Sequence, residues 1–184
     1  MPPMKDANGK VRHLSVWAGK NRSIYLVDRT NMGKFNPNND NAIYQEIDGV
    51  LGGGEWAMAA YFNGNVYFAP EGNNLLQFRF SKARLSTSPL SKSAAAFAYP
   101  GSTPSVSANG SSNGIVWAIE HTGPFDILDA FAASNLANEL YNSSQMGNRD
   151  QFRTVSHFGT PMIVNGKVYV GTTKGIAVFG LLKP

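Results

Sequence analysis

Apolar residues in this chain fall in short runs separated by Asn, Gly and Ser, the residues of tight turns, and not at the spacing of amphipathic helices. Four runs share one form, a Val followed by an aromatic residue: Val16-Trp17-Ala18, Val66-Tyr67-Phe68-Ala69, Val116-Trp117-Ala118 and Val168-Tyr169-Val170-Gly171. Their spacings are 50, 50 and 52 residues. An Asn-Gly pair precedes each: Asn8-Gly9, Asn63-Gly64, Asn113-Gly114 and Asn165-Gly166. Asn-Gly is favoured in type I′ hairpins, where both central residues need positive φ.

A second apolar run follows each: Ile24–Val27, Leu75–Phe78, Ile127–Ala130 and Ile176–Phe179. Upstream runs are clearest at Thr103–Val106 and Thr160–Val164, and closing runs at Ala42–Tyr44, Ala94–Phe97 and Glu139–Tyr141. Each full unit therefore predicts four antiparallel strands, A to D. A period near fifty fits one blade of a β-propeller and is too long for leucine-rich or ankyrin repeats. The best helical stretch, around Ala130–Leu140, reads as a C–D loop with at most one turn.

Composition agrees with an all-β chain. Of 184 residues, 42% are hydrophobic, only 15% are charged, and 19 are Gly. The net charge of +4 comes from scattered Lys and Arg with no basic run, so no nucleic-acid partner is expected. The absence of Cys excludes disulfides, thiolate catalysis and Cys-based metal sites. No stretch is long and apolar enough for a membrane span. MPPMKDANGK has no apolar signal region, although a mature secreted domain or a fragment would begin in the same way.

TPMIVNGKVYVGTTKGIAVFGLL, YPGSTPSVSANGSSNGIVWAIE and SIYLVDRTNMGKFNP resemble the pyrroloquinoline-quinone (PQQ) repeat, or quinoprotein-like, β-propeller proteins. They also resemble the C-terminal part of secreted bacterial proteins built from such repeats. The resemblance implies blades over approximately 1–50, 51–99, 100–155 and 156–184, about half the ring of a full-length relative. It suggests a secreted or periplasmic setting. Unit 1 would draw strand A from Met1–Asp6, and unit 4 has only A, B and C. Met1–Asp6 could instead complete the last blade. Half a ring leaves two apolar faces bare, so either four blades close on themselves or two chains join as a two-fold dimer with an eight-bladed ring. The dimer is the favoured expectation, because blades shaped for a wide ring need extra curvature to close at four.

An A-B-C-D meander puts the B–C turns and the D-to-A crossings at one end. That end gathers Lys20, Asn21 and Arg22, then Glu71 to Asn74, Glu120 to Thr122, and Thr173-Lys174. The crossings add Gly52-Gly53-Gly54-Glu55-Trp56, Tyr99-Pro100-Gly101 and His157-Phe158. His121 and His157 are candidate metal ligands, and with Glu55 and Glu120 candidate catalytic bases. Trp56, Glu71, Arg22, Lys174 and Tyr99 are candidate ligand-binding residues. The His and Glu residues also read as solvated loop polars, and no HxH, HExxH or His/Asp pair at ligand spacing appears. LGGGEW lacks the Lys-Ser/Thr of a phosphate loop and reads as a sharp crossing. Trp17 and Trp117 occupy the repeat's aromatic slot and are expected in the core. Asp28 reads as a turn former, His13 as a strand-end residue, and no GxSxG elbow supports a serine hydrolase.

Three functions follow. The first is a non-catalytic binding or assembly module whose loop face takes a small ligand or a partner segment. The second is a metal-assisted hydrolase of esters, lactones or phosphotriesters using a divalent ion at the channel mouth. The third, implied by the resemblance alone, is the remnant of a PQQ-dependent dehydrogenase. That family holds PQQ between a Trp and a vicinal disulfide, with Ca²⁺ on Glu, Asn and Asp. With no Cys and no matching ligand set, PQQ is not the expected cofactor.

Overall fold

The computed structural model describes residues 1–181, and they form an all-β chain with one short 3-10 helix, Gly147–Arg149. The first part holds β1 (Met4–Lys5) paired with β2 (Val11–Arg12), then sheet 1 of β3 (Leu14–Ala18), β4 (Ile24–Asp28) and β5 (Gln45–Ile47). Sheet 2 contains β6 (Ala60–Phe62), β7 (Asn65–Phe68), β8 (Asn73–Ser81), β9 (Arg84–Leu85) and β10 (Ser91–Phe97). Sheet 3 contains β11 (Ser105–Asn109), β12 (Ser112–Glu120), β13 (Phe125–Ala132), β14 (Glu139–Asn142) and β15 (Phe152–Arg153). Sheet 4 is β16 (Met162–Val164), β17 (Lys167–Thr172) and β18 (Gly175–Gly180). All pairings are antiparallel, and among the described residues no closed barrel or ring forms.

Local turn chemistry sets most of these boundaries. Asn63 and Gly64 have φ of 45° and 79°, and Asn165 and Gly166 have 51° and 70°. Both pairs form two-residue hairpin loops, joining β6 to β7 and β16 to β17. Gly9 closes a longer turn by donating its N–H to Asp6 O at 3.0 Å. The Asn113-Gly114 expectation is corrected: that hairpin turns at Gly110-Ser111, between Asn109 and Ser112, and Gly114 lies inside β12. A Cβ at Gly114 would sit 2.4 Å from Phe62 Cε1 and 2.8 Å from Ala133 Cβ, so packing selects glycine here.

Three apolar layers alternate with the sheets. In β7, Val66 and Phe68 pack with Leu14, Ile24 and Leu26 of sheet 1. The intervening Tyr67, with Ala69 beyond it, packs with Val116, Ala118 and Phe131 of sheet 3. In turn Ile119 and Leu128 meet Val168 and Val170 of sheet 4, with Trp117 packed beside them. Successive strand residues point to opposite faces, so an inner sheet must be apolar on both. Where β10 shifts register between Lys92 and Ala96, the buried Ser93 hydroxyl accepts the Leu75 N–H at 2.9 Å; Ser143 accepts the Leu128 N–H at 3.0 Å in sheet 3.

Sheet 1 departs from the expected register. Leu14, Val16 and Ala18 face sheet 2, which turns Trp17 outward at 42% exposure. Trp17 is therefore not a core residue, because a slip of one position moves every side chain of a strand to the other face. The last strand of this sheet is also three residues later than expected. Gln45 accepts from Leu85 N at 2.9 Å and donates to Leu85 O at 2.8 Å, and Ile47 is buried. Met4–Lys5 is held by β2 and does not serve sheet 4.

Gly114→Ala should lower unfolding free energy by about 1–3 kcal/mol through overpacking against Phe62. Urea titration measures this, and Gly110→Ala is not a substitute because its φ is 59°.

Candidate functional site

At one end of the sheets, each crossing is stitched to the turns beside it. Leu51 N–H donates to Arg22 O and Glu55 N–H to Gly19 O, tying the first crossing to the β3–β4 turn. The same crossing meets sheet 2, where Glu71 N–H donates to Gly54 O at 3.0 Å. A Cβ at Gly53 would lie 1.8 Å from Glu71 O, so the backbones approach too closely for any side chain. Farther along, Ser102 N–H donates to Ala69 O, Thr173 N–H to Thr154 O, and Thr154 Oγ1–H to Gly123 O.

These stitches line up a run of rings. Lys20 Nζ sits 3.9 Å from the Trp56 ring centroid. Trp56 and Tyr99 pack edge to face at 5.3 Å, Tyr99 and His157 at 5.6 Å, and His157 and His121 at 5.6 Å. Phe158 flanks His157 at 6.4 Å. Trp56 Nε1–H donates to Glu71 Oε2 at 2.8 Å. Next to Trp56 opens a cleft of about 410 Å³ between Lys20, Arg22, Gly53, Trp56 and Glu71.

His121 is fixed from behind. Its Nδ1 lies 2.9 Å from Asp126 Oδ2, and the Asp126 side chain is fully buried. Asp126 Oδ2 also accepts the Val155 N–H at 2.8 Å, and Oδ1 the Thr122 N–H at 3.3 Å. In a neutral imidazole, a carboxylate at Nδ1 favours the tautomer that carries its proton there and leaves the Nε2 lone pair free. Asp126 was missed as a site residue. The signal was present: residues 121 and 126 flank the turn Thr122-Gly123-Pro124-Phe125, just beyond the Glu120–Ile127 pair.

The structure therefore brings together Trp56, Tyr99, His157, His121, Glu71 and Arg22. Three other candidates lie apart from the ring contacts. Burial, followed by the Glu139 charge, raises the Glu120 pKa, and the Glu120 charge in turn acts on Asp129. Lys174 is exposed at the β17–β18 turn, its N–H donating to Thr172 Oγ1. Glu55 is buried beneath its crossing: Oε1 accepts the Ala57 N–H at 3.2 Å, while Oε2 has no partner. His13 is a strand-end residue whose carbonyl accepts the Arg29 N–H, and Asp28 Oδ1 accepts from Thr30 N–H. No group of three or more His, Asp or Glu side chains suited to a metal occurs among the described residues.

No family model matches this chain, and no curated protein matches it.

Burial pushes the Glu55 carboxyl up to about 7. It pushes Asp129 up to about 8, with the charges of Glu120 and Glu139 adding to the effect. Both groups bind a proton more tightly folded than unfolded, so their contribution is fully present in acid and is lost as pH rises through the folded values. Unfolding free energy should fall between pH 5 and 8, and Glu55→Gln and Asp129→Asn should each flatten that decline. Urea melts across this range, with the two variants compared to the parent, measure it.

Proposed function

We propose that the chain is a non-catalytic ligand-binding or assembly module built from β-propeller blades of the PQQ-repeat kind, with its site on the loop end. The observation carrying this reading is the unbroken run from Lys20 through Trp56, Tyr99 and His157 to His121, drawn from three successive crossings and their turns. Binding groups on loops held by a rigid scaffold are a common arrangement. The cleft beside Trp56 suits a small anionic ligand with a flat face. Lys20 and Arg22 form no ion pair among the described residues, and the Trp56 indole lines the cleft. Hydrolysis is less well supported, because Glu120 lies with Asp129 and Glu139 and Glu55 is buried with one oxygen unpartnered.

A uronic-acid oligosaccharide is the probe. It should shift the Trp56 indole N–H resonance, assigned with Trp56→Phe, and Arg22→Ala should weaken binding about tenfold. An unmoved resonance with both acidic and neutral oligosaccharides counts against the cleft.

In the same reading, sheets 1 to 4 are blades and two copies complete an eight-bladed ring. The outer faces support this. Trp17 stands out from sheet 1, and Met162, Val164, Ile176 and Val178 are 42–71% exposed on sheet 4. In sheets 2 and 3 the residues at the same repeat position as Trp17, Tyr67 and Trp117, pack against the next sheet. Each junction needs about 1,000 Å² of buried surface. Light scattering at micromolar concentration should give about twice the 19.9 kDa chain mass, and Val178→Glu should halve it. A monomeric parent protein overturns the dimer.

A further inference from the structure

We propose that His121 and His157 together hold one borderline divalent cation of the Zn²⁺, Ni²⁺ or Cu²⁺ class, with water filling the remaining positions. The inference goes beyond ligand binding in the Trp56 cleft and concerns the opposite end of the same run of rings.

The geometry at His121 carries it. A metal-binding imidazole needs one nitrogen free and a fixed ring, and a carboxylate on the other nitrogen supplies both. Asp126 does so at 2.9 Å, and it cannot swing away, because Val155 N–H and Thr122 N–H hold its two oxygens. The His121 side chain is only 11% exposed. The ring is thus held in one orientation. His157 is exposed and stands across from it, with ring centroids 5.6 Å apart and planes at 74°. The Tyr99 ring, 5.6 Å from His157, restricts where that imidazole can go.

Two neutral imidazoles favour nitrogen-seeking, borderline cations over Ca²⁺ or Mg²⁺, which prefer oxygen. The third histidine, His13, lies at the start of β3, and its carbonyl is tied to Arg29 N–H. It serves as an internal control.

Calorimetric titration of tag-free, full-length protein with NiCl₂ and ZnCl₂ at pH 7.5 tests the site. One equivalent should bind, and His121→Ala or His157→Ala should each weaken it tenfold or more, whereas His13→Ala should leave it unchanged. Asp126→Asn should weaken binding by roughly 10–100-fold. Because that variant also touches Val155, the His157→Ala variant, made at an exposed side chain, decides the matter if it fails to fold. The proposal is overturned if the parent binds no tighter than the His121→Ala/His157→Ala double variant. It is equally overturned if each single variant keeps half the capacity, the signature of two independent imidazoles.

Discussion

Every inner sheet of this chain is apolar on both faces, and that one constraint governs the rest. Val66 and Phe68 need cover on one side while Tyr67 and Leu75 need it on the other. Side-by-side stacking is the arrangement that meets both demands, because no single partner layer can cover two opposite faces. The stack then fixes where polar groups can go. Buried hydroxyls such as Ser93 and Ser143 accept strand N–H groups, and chemistry moves to the ends, where turns and crossings meet. The same constraint makes the terminal sheets unlike the inner ones. Their outward residues have the composition of a packed layer and the exposure of a surface.

Much of the fold was legible because its signals are local. Asn63-Gly64 and Asn165-Gly166 announce hairpins whose φ values only Asn and Gly adopt readily, and the Val-aromatic runs between them mark paired strands. What misled were positions where a tertiary contact outweighs local chemistry. Asn113-Gly114 has the letters of a turn, yet Gly114 is glycine because Phe62 lies against it. Trp17 looks equivalent to Tyr67, yet sheet 1 sits one residue out of step, and a one-residue difference is invisible in a repeat read by eye.

The loop-end cluster was legible as a neighbourhood and not as a set of partners. Meander topology alone brings Trp56, Tyr99, His121 and His157 to one end. It does not say that the rings touch, that Glu55 turns under its crossing, or that Glu120 joins Asp129 instead of the histidines. Asp126 escaped notice because its role depends on hairpin register, which fixes the residue opposite His121 only once the turn length is known.

Asp126 has a mechanical role as well as an electrostatic one. The oxygen that steadies His121 also anchors Val155, and Val155 bridges to Thr172 at the root of sheet 4. Imidazole and terminal sheet thus share a single latch. Replacing Asp126 would therefore release the ring and the attachment of the last three strands together.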